Sequence, residues 1–270
     1  SLELDIAYHH KHIDYLEEFI DLYKNPDEVI NIAICGKYNS LHDAYKSILE
    51  AFIHAGVANK SSVNVVWVDT EELEIKKNPE KVFEGIDGIL IPGGFGDRGI
   101  EGKIMSSKHA RENKIPFFGI CLGMQCASIE FARNVLNIKN ANSTEFKEKT
   151  KNPIINLMED QKSIKIKGGT MRLGSYKCRI KKNSIAFNSY MKNNINERHR
   201  HRYEFNNKYK LDLISKGMLM AGSHTELDLI EIIEISDHPW FVGVQFHPEY
   251  QSAFINPHPL FISFVNALLK

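Results

Sequence analysis

Pro116-Phe117-Phe118-Gly119-Ile120-Cys121-Leu122-Gly123 decides the fold. Its apolar run from Ile115 to Ile120 reads as a strand buried on both faces, and the pattern from about Leu122 to Val135 reads as a helix. Between them stands G-x-C-x-G, the cysteine version of the nucleophile elbow. Glycines two before and two after Cys121 permit a sharp turn and close packing around it. The thiol then projects at a helix N-terminus, where the dipole favours the thiolate. The plainer alternative is a buried structural cysteine. Cys126, inside the helix, has only that reading.

The same alternation extends both ways. Upstream, Val29 to Cys35 is an apolar strand ending at Gly36. Ser40 can cap the next helix, Leu41, Ala44, Tyr45, Ile48, Leu49 and Phe52 form its apolar stripe, and Gly56 marks its expected end. Strands follow at Val63 to Val68 and Gly88 to Ile91, with a helix near Ile100 to Asn113. Downstream, apolar runs recur at Gly217 to Ala221, Leu229 to Ile235 and Trp240 to Phe246, before a last helix near Leu260 to Leu269. This order predicts an α/β fold, a mostly parallel central sheet with helices on both faces. Lys147 to Lys167 reads as loop with short edge strands, and Lys192 to Lys208 is also polar. Neither reads as a linker, so residues 29–270 form one domain. Residues 1–28, a helix from Leu2 to Tyr23 broken at Asn25-Pro26-Asp27, read as a helical connector.

Two further loops carry chemistry. Trp240-Phe241-Val242-Gly243-Val244-Gln245-Phe246-His247-Pro248-Glu249 delivers His247 at a strand end. Glu249 can accept a proton from one ring nitrogen and leave the other to serve Cys121, the third-group logic of a triad. Ile89-Leu90-Ile91-Pro92-Gly93-Gly94-Phe95-Gly96 runs a strand into a glycine turn whose N–H groups can approach a ligand, a candidate oxyanion hole. It lacks the ending of a P-loop.

Composition narrows the classes. The 270 residues are 43% hydrophobic and 25% charged, the balance of a globular protein. Lys plus Arg equals Asp plus Glu at 34 each, which argues against a nucleic-acid grip. The basic run Arg198 to Arg202 has two plain readings, a solvated face and a nucleic-acid patch, and the charge balance disfavours the second. No stretch approaches the roughly 18 apolar residues of a membrane span, and Ser1 to Asp5 lead into no signal-peptide pattern. The four cysteines make no metal ladder, so no metal site is expected, and a reducing, cytoplasmic compartment is the simpler reading.

Gly119 to Gln125 (G-I-C-L-G-M-Q), Pro92 to Gly96 (P-G-G-F-G) and Phe246 to Glu249 (F-H-P-E) resemble the class I glutamine amidotransferases. Gly36-Lys37-Tyr38 with Asp43-Ala44-Tyr45, Asn142 to Phe146, Gly168 to Gly174 and Arg198 to Glu204 narrow the likeness to the CTP synthase family, from Val29 onward. The resemblance implies a catalytic Cys121, His247 and Glu249, a γ-glutamyl thioester, and oxyanion donors near Gly94 and Leu122. It implies a glutamine pocket of Gly94, Leu122, Gly123, Met124, Gln125, Glu145 and Arg202. Charge agrees for two of these: Glu145 suits the α-ammonium and Arg202 the α-carboxylate. Arg98 and Glu101 match a lid near a GTP effector. The family is homo-oligomeric and joins this domain to an amidoligase domain that uses ATP, Mg and UTP. That portion is not among these residues, so by this reading the chain at most hydrolyses glutamine, with no cofactor of its own, and residues 1–28 are a linker remnant. Two other readings stand beside it: another cysteine hydrolase of the same fold, such as a γ-glutamyl peptidase, and a non-catalytic assembly or regulatory module.

Overall fold

The computed structural model describes residues 6–37, 42–157 and 171–269, with residues 6–13 and 42 as backbone only. The expected cap Ser40, the stripe residue Leu41 and the segment Gly168 to Thr170 lie outside them. In chain order the strands are β1 (Glu28–Gly36), β2 (Ser61–Asp69), β3 (Gly88–Ile91), β4 (Phe117–Ile120), β5 (Ala141–Ser143), β6 (Asn152–Leu157), β7 (Arg172–Ile180), β8 (Asn194–His201), β9 (Tyr203–Phe205), β10 (Met218–His224), β11 (Ile230–Ile235) and β12 (Phe241–Val244). The helices are α1 (Ile6–Lys24), α2 (Lys46–Ala58), α3 (Thr70–Lys76), α4 (Pro79–Val82), α5 (Ile100–Glu112), α6 (Leu122–Asn134), α7 (Ile185–Tyr190), α8 (Lys210–Ser215) and α9 (Pro259–Asn266).

The main sheet runs β2-β1-β3-β4-β12-β11-β10-β7-β8. From β2 to β12 every pairing is parallel, and from β12 to β8 every pairing is antiparallel. A smaller sheet, β5-β6-β9, stands apart. The parallel strands are covered on both faces, because successive side chains of one strand point to opposite sides. Phe117, Ile89 and Ile91 join one apolar cluster with Ile104 and Ile129 of α5 and α6, while Phe118 and Leu90 join another with Phe52 of α2 and Phe261 of α9. Phe117 stacks on Phe241 at 4.3 Å, and Phe118 meets Trp240 edge-on at 5.4 Å.

Three expectations change. Gly56 does not end α2, which continues to Ala58. A Cβ at Gly56 would stand 2.7 Å from the Ser61 carbonyl, so its glycine answers the close return of β2. The polar stretch before Leu157 supplies no edge strand but the middle strand β6, with Ile154 and Ile155 fully buried. Lys192 to Lys208 holds β8 and β9, whose buried positions are mostly polar: Glu197, His199, His201 and Glu204 beside Ile195 and Phe205. Arg198 and Arg200 are exposed between them while His199 and His201 are buried and Arg202 is half-buried, so only part of the basic run is a solvated face. The helix α1 packs on the domain through Tyr15, whose hydroxyl donates to the Phe254 carbonyl at 2.7 Å, and through Phe19 against Phe254 and His54.

Candidate active site

β3, β4 and β12 are parallel neighbours, so the loops at their C-terminal ends emerge side by side. Those are the three loops singled out above. Cys121 sits at φ 51° and ψ −99°, a left-handed conformation that a non-glycine residue holds only at a cost of about 1–3 kcal/mol. The surroundings enforce it. The Cys121 N–H donates to the Val244 carbonyl at 2.6 Å, tying the elbow to β12. A Cβ at Gly119 would lie 2.7 Å from the Gly123 backbone, and one at Gly123 would lie 2.3 Å from the Ile91 carbonyl. Both flanking glycines are therefore needed for close approach, as the G-x-C-x-G pattern predicts.

His247 leaves the end of β12 with Nδ1 2.7 Å from Glu249 Oε1. Its ring stacks on Tyr250 with centroids 5.1 Å apart. Its Nε2 is buried and finds no hydrogen-bond partner among the described residues. Burial alone would lower the affinity of this imidazole for a proton. The negative charge that Cys121 can carry, joined by the Glu249 carboxylate, outweighs burial and holds His247 well above its ordinary range. Gln245 Nε2 reaches the Cys121 sulfur at 3.6 Å and is itself fixed by Gln125, whose Nε2 lies 3.2 Å from Gln245 Oε1.

Cys121 opens into a cavity of about 400 Å³ whose wall includes Gly94, Phe95, Gln125, Glu145, Met171, Arg200, His201, Arg202 and Tyr203. Of the glutamine-pocket residues expected from sequence, Gly94, Gln125, Glu145 and Arg202 meet there. Leu122 and Met124 turn their side chains into the core and Gly123 lies against β3. Gly94 and Leu122 are adjacent, since a Cβ on Gly94 would be 3.3 Å from Leu122 Cδ2. Glu145 Oε1 accepts the Gly96 N–H at 3.0 Å. Burial raises the Glu145 carboxyl above the usual range, against the pull of that hydrogen bond and of Arg202 and Lys37. On the far side of the glycine turn His247, Glu249 and Tyr250 line a second cavity of about 300 Å³ with Gly93 and Tyr45.

The chain matches the family described as glutamine amidotransferase class-I over residues 40–267. The glutaminase domain of Trypanosoma brucei CTPS, solved with bound acivicin, is 37% identical with a TM-score of 0.82, over 88% of this chain and 93% of that one. The chain belongs to the class-I glutamine amidotransferases, among the CTP synthase glutaminase domains. CTP synthase of Clostridium kluyveri is 57% identical over 93% of this chain and 47% of its own length. That of Chloroherpeton thalassium is 60% identical over 88% of this chain and 43% of its own length. The chain thus spans about half the length of the curated relatives it matches.

In this glutaminase domain Arg98 and Glu101 line neither cavity. Arg98 lies 3.5 Å from Glu71 of α3, and Glu101 Oε2 accepts from Arg133 Nη1 of α6 at 2.7 Å. Sequence reasoning missed Gln245, which appeared only as part of a strand, and the network behind the cavity wall. Arg172 Nη1 donates to Glu204 at 2.9 Å and Nη2 to Glu231 at 2.9 Å, while His201 Nε2 lies 2.7 Å from Glu204 Oε1. Burial pushes Glu231 up to about 7 despite Arg172, and pushes His199 down to about 2. The signal available was the alternation Glu197, His199, His201, period two, in a run dominated by its arginines. Among the described residues no group of three His, Cys, Asp or Glu is arranged to hold a metal, and no helix is long and apolar enough to cross a membrane.

Proposed function

We propose that the domain hydrolyses glutamine to glutamate and ammonia through Cys121, His247 and Glu249. The observation that carries this reading is one cavity lined by the Cys121 thiol together with the oppositely charged Glu145 and Arg202. Glutamine enters with its α-ammonium at Glu145 and its α-carboxylate at Arg202, which brings the side-chain amide to Cys121. The sulfur attacks the amide carbon, and the carbonyl oxygen takes the negative charge between the N–H groups of Gly94 and Leu122. His247 gives its Nε2 proton to the departing nitrogen, so ammonia leaves and a γ-glutamyl thioester remains. Water, deprotonated by His247, then attacks the thioester carbon; glutamate departs and Cys121 is restored. Glu249 keeps the imidazole in the tautomer that presents Nε2. The thiol proton of Cys121 passes to His247 Nε2 as the sulfur attacks, and the raised proton affinity of His247 supports its role as that acceptor.

By the same resemblance we propose that the ammonia serves an amidoligase half that uses ATP, Mg and UTP, in a homo-oligomer, with GTP as effector and Arg98 and Glu101 of this chain in a lid beside it. Four free, buried cysteines fit a cytoplasmic setting. The test is labelling with 6-diazo-5-oxo-L-norleucine, a reactive glutamine analogue. One adduct on Cys121, blocked by glutamine, is expected. A folded protein whose Cys121 stays unlabelled, alone and joined to an amidoligase half, would sink the assignment.

A further inference from the structure

Beyond His247 the chain turns through the 3-10 segment Pro248–Gln251, and β8 holds that segment at both ends. At its start the His247 N–H donates to the Arg198 carbonyl at 2.8 Å. At its end Gln251 Nε2 donates to Glu197 Oε2 at 2.5 Å and to the Asn196 carbonyl at 3.2 Å. The Tyr250 N–H also reaches the His247 carbonyl at 3.3 Å, so the bonds from β8 add to those the turn makes locally.

Glu197 is itself fixed. It is 3% exposed, and its Oε1 accepts from the Tyr190 hydroxyl at 2.7 Å. His258 Nε2 lies 3.1 Å from the same oxygen. His258 Nδ1 accepts the Leu260 N–H at the start of α9, so the proton sits on Nε2 and points at Glu197. A β-strand position facing the core asks only for an apolar side chain. A buried carboxylate there is costly unless its lone pairs are filled, and one of its oxygens is filled by the turn that carries Glu249.

We propose that Glu197 is a positioning residue for the His247–Glu249 pair: through Gln251 it holds the Pro248–Gln251 turn where Glu249 Oε1 meets His247 Nδ1. This rests on the glutaminase reading above. Tyr190 and His258 in turn lock Glu197, so the chain of contacts runs from α7 and α9 through β8 to the imidazole.

Gln251 is exposed, so Gln251→Ala cuts the link without opening a core cavity, and Glu197→Gln keeps the buried shape. Two readouts follow the pair in the full chain. One is the downfield NMR signal of the His247 Nδ1–H, assigned by its loss in Glu249→Gln. The other is the rate of Cys121 alkylation by iodoacetamide, mapped by mass spectrometry. Both variants are expected to shift the N–H signal upfield or broaden it, and to slow alkylation about threefold or more. The double variant should add nothing to the larger single effect. An unchanged N–H signal and alkylation rate in both variants overturn the proposal, whatever happens to thermal stability. If the unmodified protein shows no such signal and an inert Cys121, the glutaminase reading itself falls, and the inference with it.

Discussion

A methyl group on Gly93 would stand 2.6 Å from Cε1 of His247. The glycine turn after β3 and the imidazole after β12 are packed so closely that only a hydrogen fits between them. Gly93→Ala must displace the ring, and the adjoining cavity gives it room to move away. Glutaminase kcat should fall about 10- to 100-fold, since a shift of about 1 Å misaligns proton transfer. KM and melting temperature should change little. Steady-state kinetics decide it, and an unchanged kcat would show that the ring position is not critical.

Glu145 and Arg202 share the cavity wall with Cys121. Glu145→Gln and Arg202→Met should raise KM for glutamine about 10- to 100-fold, the worth of one charge-assisted contact, and leave kcat within a few-fold. Loss confined to kcat would contradict the proposed orientation of glutamine.

A separate ion pair bears on stability alone. Glu130 is fully buried and takes Arg111 Nη2 at 2.7 Å and Nε at 2.9 Å, joining α6 to α5. Arg111→Met strands that carboxylate with Asn134 as its remaining side-chain donor. A loss of about 3–5 kcal/mol in urea unfolding is expected, and replacing both residues by apolar ones should recover most of it.

Glu231 sets a pH dependence whose sign follows from its shift. Its carboxyl ionises near 4.5 in the reference state and holds its proton to about 7 in the fold, chiefly because it is buried. Between those limits the folded chain binds more protons than the unfolded one. The stabilisation from this group is therefore complete below about 4.5 and lost as pH rises through about 7. Glu231→Gln should gain about 2–3 kcal/mol relative to the parent between about pH 4.5 and pH 8. Urea midpoints for both proteins at the two pH values test this, and a constant difference would place the proton elsewhere in the cluster.

The two halves of the main sheet differ in how far they can be read from sequence. In the parallel half, local rules suffice. Apolar runs such as Phe117–Ile120 and Gly88–Ile91 are buried on both faces and look alike in any sheet, and the elbow glycines announce close backbone approach through their lack of a side chain. In the antiparallel half, β8 buries Glu197, His199 and His201. Its hydropathy hides a core-facing strand, because the partners that make burial of Glu197 tolerable, Tyr190 seven residues away and His258 61 residues away, meet it only in the fold.

By itself the sequence determined the parallel α/β core, the sharp turn at Cys121 and the chemical types of the site, since these depend on periodicity, glycine and residue identity within a few positions. Only the tertiary structure decided that Glu145, Arg202 and Cys121 share one cavity, that Gly93 leaves space for His247, and that β8 braces the turn carrying Glu249. Each of those is a distance between residues far apart in the chain, fixed by which strands lie side by side, and no local pattern encodes it.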